Sequence, residues 1–304
     1  MAETFPILVA PAWLREHLDA VRVLDCTTHM TPQAVGPSRI ESGRPDFDAA
    51  HIPGARHVDM VDDLSDPDGA FAYTLPSAEQ IGRLLGGLGI TRDDHVVLYT
   101  STHLMVATRA WYVLRALGHE RVSVLDGGLD AWRAAGYPVE ATSDAADGAH
   151  ARDAEETAAS GRGGSPSTYT AAPDPSRYAT KTDVAAATAD ARTVVVNALS
   201  AEQHAGTGGA HYGRPGRIPG SVSVPTARLL SRDGKSFAPL ETIRRQFAAQ
   251  GVTPGARVIT YCGGGIAATV DAFALALIGH DDWAVYDNSL LEWSSDPENE
   301  MQTG

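Results

Sequence analysis

The chain has 304 residues, 43% of them hydrophobic, and a formal net charge of −14. Its length accommodates two domains of ordinary size, each with its own core, and an acidic balance without clustered Lys and Arg excludes a nucleic-acid partner gripped through phosphates. No apolar run approaches the roughly 20 residues that span a bilayer, and Met1 to Ala10 lacks a basic stretch followed by a long apolar one; no membrane association and a cytoplasmic location are therefore expected. Two cysteines, Cys26 and Cys262, are too few for a disulfide scaffold or a four-ligand zinc site, and no HxxxH or CxxC spacing occurs. Neither a metal nor a cofactor is expected.

In chain order, Val21 to Asp25 reads as a short apolar strand, and Phe47-Asp48-Ala49-Ala50-His51-Ile52-Pro53-Gly54-Ala55-Arg56 leads through an Ile-Pro-Gly turn into a strand-like run, Arg56 to Met60. Leu75 to Gly89 carries leucines and isoleucine at helical spacing, His95 to Tyr99 is a second apolar strand, and the helical run after it ends in Leu117-Gly118-His119, where glycine suits a helix C-cap. Val122 to Trp132 closes this first series. The same series recurs. Thr193 to Asn197, Gly216-Arg217-Ile218-Pro219-Gly220-Ser221, the run Ser221 to Pro225, the helical Leu240 to Gly251, the strand Arg257 to Tyr261, the ending Ile278-Gly279-His280 and Ala284 to Trp293 match it piece by piece. The chain is an internal duplication.

Short apolar strands alternating with helices predict an α/β fold of two tandem domains, each a mostly parallel sheet with helices on both faces. The domains are expected at 1–140 and 168–304. Between them, 141–167 is rich in Ala, Asp, Gly and Ser and reads as a flexible linker.

Chemistry is concentrated at one strand end. Cys262 follows the apolar run Arg257 to Tyr261 and is followed by Gly263-Gly264-Gly265-Ile266-Ala267, after which a helical run begins. Three successive glycines let the backbone form a cup with its N–H groups inward, and the first turn of a helix adds unpaired donors and the positive end of the dipole. Both favour a thiolate over a thiol, which makes Cys262 a candidate nucleophile of lowered pKa. The first copy has Thr100-Ser101-Thr102-His103-Leu104 in this place, hydroxyls that do not ionise unaided, so the first domain is expected to be catalytically degenerate and to shape a cleft. His103 is either an acid–base group or a solvated loop side chain. Cys26 is either a resolving thiol or a buried small hydrophobe.

The aromatic and His-Ile-Pro-Gly-Ala of Phe47 to Ala55, the strand, cysteine and loop at Tyr261 to Ala267, and the closing Glu292-Trp293 with Asp296-Pro297 together resemble the tandem-domain rhodanese family of sulfurtransferases, whose donors are thiosulfate and 3-mercaptopyruvate. The resemblance covers nearly the whole chain apart from the linker. It implies a ping-pong reaction in which Cys262 takes a sulfane sulfur from a small donor, holds it as a persulfide over the amides of Gly263, Gly264, Gly265, Ile266 and Ala267, and passes it to a thiol or cyanide; an acceptor protein is the alternative partner. Basic side chains that thiosulfate enzymes place in the loop are glycines here. Gly264 and Ala267 replace the Ser and Thr of the Cys-Gly-Ser-Gly-Val-Thr loop of mercaptopyruvate enzymes, and Leu199 stands where the family often has a substrate-binding arginine. Arg214 and Arg217 are then the nearest candidates to bind a carboxylate or sulfonate, or else solvated loop charges. Asp59 matches an acidic position of the family that faces the cleft, or serves as a surface or capping group.

Two rival readings stand beside this one. A cysteine phosphatase needs a Cys-x5-Arg loop, and the sixth residue after Cys262 is Ala268. A non-enzymatic or protein-partnered sulfur-relay module of the same fold keeps Cys262 only as a carrier.

Overall fold

The computed structural model describes residues 5–142 and 167–304. The expected linker, 141–167, falls almost wholly outside the described residues. Two units emerge, the first made of residues up to His29, Glu41–Pro67 and Pro76–Pro173, the second of Met30–Ile40, Asp68–Leu75 and Asp174–Gly304. Residues 167–173 stay with the first unit because Ser167 donates its amide to the Gly86 carbonyl at 2.9 Å and Ala172 to that of Leu117 at 3.1 Å.

The first unit, with β3 and β4 falling partly in the stretch Met30–Ile40 of the second, runs β1 (Leu8–Val9), α1 (Pro11–His17), β2 (Val21–Asp25), β3 (Thr28–Thr31), β4 (Arg39–Ser42), α2 (Arg44–Ala49), β5 (Arg56–His57), α3 (Ala78–Gly87), β6 (His95–Tyr99), α4 (Met105–Ala116), β7 (Val122–Leu125) and α5 (Gly128–Ala134). The second runs β8 (Tyr178–Ala179), α6 (Lys181–Ala187), β9 (Thr193–Asn197), α7 (Ala201–Ala205), β10 (Val222–Ser223), α8 (Leu240–Ala248), β11 (Arg257–Tyr261), α9 (Ala268–Leu277), β12 (Trp283–Tyr286) and α10 (Ser289–Trp293). The strands order as β5-β2-β6-β7-β1 in one sheet and β10-β9-β11-β12-β8 in the other, with every pairing parallel. β3 and β4 pair separately as a two-stranded ribbon.

The duplication read in the sequence repeats as hydrogen bonds. The Tyr99 carbonyl accepts from the Cys26 amide at 2.8 Å and the Tyr261 carbonyl from the Ala198 amide at 2.9 Å. Each tyrosine hydroxyl in turn accepts from the isoleucine amide of its Ile-Pro-Gly turn, Ile52 or Ile218, at 3.1 Å. Each turn is also clasped by a residue far along the chain: Gly54 donates to the Glu140 carboxylate at 3.1 Å and Gly220 to the Gln302 side-chain oxygen at 3.3 Å.

Local chemistry sets the element ends. α3 begins at Ala78, later than the apolar spacing suggested, because Pro76 precedes the N-cap Ser77, whose hydroxyl accepts from Gln80 at 3.1 Å. Gly118 and Gly279 end α4 and α9 at φ +87° and +80°, the left-handed C-cap conformation. The runs Arg56 to Met60 and Ser221 to Pro225 form only two paired residues each. In the first, the Asp59 carboxylate turns the chain by accepting the Val61 and Asp62 amides; in the second, Pro225 has no amide to donate and a 3-10 turn, Thr226–Arg228, follows. Leu14, Ile52, Val97 and Trp132 fill the core of the first unit. Ile243, Val258, Phe273 and Trp283 are buried in the second.

Candidate active site

β11 is a central strand, paired to β9 and β12, and its last residue delivers Cys262 to the carboxyl edge of the sheet, where α/β folds place their sites. The six residues from Cys262 to Ala267 then turn the chain into α9. Their carbonyls are drawn toward the segment after β12: the Cys262 carbonyl accepts from Leu290 at 3.2 Å and that of Gly263 from Leu291 at 2.9 Å. The amide of Cys262 itself donates to Ser289 Oγ at 3.0 Å, and Ser289 Oγ donates onward to the Tyr286 carbonyl at 2.8 Å.

With those two carbonyls engaged, one amide of the loop turns to the sulfur. Gly265 donates to Cys262 Sγ at 3.2 Å. Among the described residues, the amides of Gly263, Gly264, Ile266 and Ala267 have no hydrogen-bond partner. Gly263 and Ile266 are buried, and a buried unpaired amide costs free energy unless an acceptor meets it. Cys262 is itself only 2% exposed.

Each glycine answers a different constraint. A Cβ on Gly263 would lie 2.1 to 2.3 Å from the hydroxyl-bearing end of the Tyr212 ring. At Gly265, φ is +83° and a Cβ would meet the Asp287 carbonyl at 2.2 Å. Gly264 is the most forgiving: its Cβ would meet a methyl of Leu291 at 2.9 Å and the Tyr73 ring at 4.0 Å.

Segments distant in sequence complete the surroundings within the second unit. Tyr73 donates its hydroxyl to the Ser38 carbonyl, Leu75 donates its amide to the Asp287 carboxylate at 2.6 Å, and the Thr74 hydroxyl donates to Asn288 Oδ1 at 3.1 Å. Residues 34–36 pair with His211, next to Tyr212. Burial, with the nearby Cys262 and Tyr73 adding to it, pushes the Tyr212 phenol up to about 12; burial also raises that of Tyr73.

Arg214 and Arg217, the arginines expected to hold an anionic donor, are engaged otherwise. The Arg214 guanidinium donates to the carbonyls of Ser294, Asp296 and Asn299 at 3.0, 2.7 and 2.8 Å. Arg217 donates to the carbonyls of His204 and Gly304 at 3.3 and 2.7 Å. Asp59 lies in the first unit, where it caps its turn. Burial works to raise its carboxyl, but hydrogen bonds from Ser42 and from the Val61 and Asp62 amides outweigh that and hold it below the ordinary range. Cys26 is buried, and its thiol is pushed well up by burial and then by neighbouring Asp25, as befits a small hydrophobe. His103 turns back on its own loop, Nδ1 accepting the Met105 amide at 3.2 Å.

Sequence reasoning passed over Tyr212, Tyr73 and Ser289. Tyr212 had one signal, an aromatic residue inside the glycine-rich run Gly206 to Gly216. Ser289 had another: in the repeat it stands opposite Gly128, and both adopt left-handed backbone, at φ 51° and 55°.

Among the described residues no helix is long and apolar enough to cross a membrane, and no group of three or more His, Cys, Asp or Glu could hold a metal ion. The rhodanese-like domain model matches twice, at residues 10–135 and 180–296. The chain is 31% identical over 309 residues to 3-mercaptopyruvate sulfurtransferase of Rattus norvegicus, covering 99% of this chain and 97% of that protein. It is 32% identical over 297 residues to thiosulfate/3-mercaptopyruvate sulfurtransferase 2 of Arabidopsis thaliana, covering 95% and 84%. The crystal structure of SseA from Escherichia coli, described with the rhodanese fold and mechanism of 3-mercaptopyruvate sulfotransferases, superposes with a TM-score of 0.74 at 26% identity over 94% of this chain and 99% of that one. Two matched domains on a duplicated parallel-sheet framework, and relatives aligned from end to end, place this chain in the rhodanese family as a tandem-domain sulfurtransferase.

Proposed function

We propose that Cys262 carries the transferred sulfur and that the preferred donor is 3-mercaptopyruvate. The observation that carries this reading is the set of loop amides around Cys262, one donating to Sγ and four without a partner among the described residues. Such a set suits a sulfur that bears negative charge at the end of the transfer. The loop from Gly263 to Ala267 holds no charged side chain, and Arg214 and Arg217 donate to main-chain carbonyls. A monoanionic donor suits these surroundings better than the dianion thiosulfate, whose second charge would enter without a partner.

In the first half-reaction the Cys262 thiolate attacks the donor sulfur, an S–S bond forms and the C–S bond breaks. The electron pair leaves on carbon as the enolate of pyruvate, which takes the proton that the sulfur had carried. The enzyme is left as the Cys262 persulfide anion. In the second half-reaction cyanide or a thiolate attacks the outer sulfur, the S–S bond breaks and the Cys262 thiolate returns. An acceptor of small size fits a cysteine this deeply buried better than a protein surface does.

Intact-protein and peptide mass spectrometry after incubation with each donor tests this. The expected result is one added sulfur on Cys262, none on Cys262→Ser, a loss of at least about 10³-fold in thiocyanate formation for that variant, and kcat/KM roughly tenfold or more higher for 3-mercaptopyruvate, the ratio that an energy difference of about 1.4 kcal/mol gives. No adduct from either donor would overturn the role of Cys262, and a higher efficiency with thiosulfate would overturn the choice of donor.

A further inference from the structure

The loop from Gly263 to Ala267 carries no side-chain hydroxyl, yet the hydroxyl-bearing end of a tyrosine packs against it. The end of the Tyr212 ring that bears the oxygen packs on Gly263, so closely that any side chain at 263 would displace it. Among the described residues the Tyr212 hydroxyl itself has no hydrogen-bond partner. Its backbone, by contrast, is fixed on both sides. Ser294 Oγ donates to the Tyr212 carbonyl at 2.6 Å, Gly213 at φ +107° lies against Ser294 where a Cβ would come within 2.1 Å of that same oxygen, and Arg214 locks the next residue to three carbonyls. On the other side His211 pairs with residues 34–36. A rigidly held phenol with no partner beside a reactive sulfur is placed for use.

We propose that Tyr212 is a catalytic hydrogen-bond donor of the sulfur transfer, its hydroxyl meeting the outer sulfur as negative charge moves onto it from Cys262. This rests on the reading of Cys262 as the sulfur carrier. The phenol keeps its proton throughout: the S–S bond forms, the C–S bond breaks and the proton of the donor sulfur passes to the enolate as described above, while the hydroxyl supplies the side-chain donor that Gly264 and Ala267 lack. Burial first, and then Cys262 and Tyr73, the titratable groups that face it, keep the phenol protonated near neutral pH, so it serves as a donor and not as a base. The role also accounts for Gly263, which has to lack a side chain for the hydroxyl to reach the mouth of the loop. Arg214 becomes a positioning residue, acting through the segment that carries Tyr212.

Tyr212→Phe keeps the ring over Gly263 and removes only the oxygen. The rate constant for sulfur loading of Cys262, measured by rapid-quench mass spectrometry with 3-mercaptopyruvate, is expected to fall roughly 10- to 100-fold, the range for losing one hydrogen bond to a charged group, with KM within about threefold and an unchanged melting temperature. A Phe variant that loads at the native rate overturns the proposal, even if Tyr212→Ala is slow, since the ring would then be a packing wall. A fluorinated tyrosine of lower phenol pKa at 212 gives a second measure that folding defects do not mimic: the loading rate gains a descending limb where the fluorophenol ionises, and a flat profile there overturns the proposal. If the native protein takes up no sulfur, the role of Cys262 fails and that of Tyr212 with it; if the native protein loads and both variants match it, only Tyr212 fails.

Discussion

The loops that follow β6 and β11 occupy the same place in two copies of one fold and spend their amides differently. In the first, side-chain oxygens and a ring nitrogen take the donors: Thr102 gives its amide to Thr100 Oγ1 at 3.0 Å, Ser101 to Thr27 Oγ1 at 3.0 Å and Met105 to His103 Nδ1 at 3.2 Å. In the second there are no side-chain acceptors between Gly263 and Ala267, and the amide of Gly265 goes to sulfur. A polar loop satisfies itself, whereas a glycine loop keeps its donors for a ligand. The hydroxyl-rich sequence of the first copy therefore supplies from its own side chains the acceptors that the glycine loop of the second copy lacks.

The segment after each final strand repeats the lesson. Leu129 donates to the Thr100 carbonyl and Leu290 to the Cys262 carbonyl, both at 3.2 Å, so both turns grip their loops alike. The first copy achieves this with Gly128, whose Cβ would collide with the Thr100 carbonyl at 2.0 Å. The second uses Ser289 at left-handed φ, which costs about 1–3 kcal/mol for a residue with a side chain, and gains an oxygen that accepts the Cys262 amide. Positive φ falls on a residue with a side chain beside Cys262 and on a glycine in the first copy.

Substitutions at matched glycines sharpen this contrast. Gly265→Ala puts a Cβ into the Asp287 carbonyl at positive φ, and is expected to lower sulfur loading about 100-fold or more, because the amide that meets Sγ moves. Gly128→Ala meets a comparable collision in the first unit and is expected to cost about 1–3 kcal/mol of stability, read by urea denaturation, while loading by the folded fraction stays native. Equal loss of loading in both variants would break the comparison.

Acid separates the units next. His95 and His119 are buried in the first unit, and burial is the leading cause that depresses each to about 4. A depressed histidine binds fewer protons folded than unfolded, so its contribution is fully present above pH 6.5 and is lost as pH falls toward 4. Full expression corresponds to roughly 3 kcal/mol for the better buried His119. Urea midpoints followed from pH 7 to pH 4 are expected to fall, and hydrogen exchange is expected to rise first in β6 and β7. His119→Gln is expected to flatten that slope. A slope unchanged in the variant would remove the histidine from the account.

Gly264→Ala is expected to do least. Its Cβ meets the far end of the Leu291 side chain, which can rotate away, so loading is expected to stay within about threefold of native. A larger loss would mean that the three glycines act as one rigid cup.

Much of this was legible in the chain. The duplicated series gave the two domains and the α/β class, because short apolar runs alternating with helical ones favour parallel pairing. Gly118 and Gly279 announced their helix ends, and Cys262 with its glycines announced the loop that joins β11 to α9. The short reach of β5 and β10 was less plain: Arg56 to Met60 looks apolar enough for a strand, and only the Asp59 turn stops it. The contacts of Arg214 were hidden for a similar reason, since the carbonyls to which it donates lie 80 or more residues away.

What the sequence determined by itself, then, was what local pattern carries: where the central strands and their following helices fall, that they occur twice, and that one copy keeps a thiol in a glycine loop. Tertiary structure alone decided which residues pack around that loop. Tyr73, Tyr212 and Ser289 come from three separate stretches, and nothing in any one stretch specifies the other two. The reason is physical: periodicity and turn chemistry act over a few residues, whereas a site is assembled by chain closure across long loops, whose outcome depends on the packing of the whole sheet.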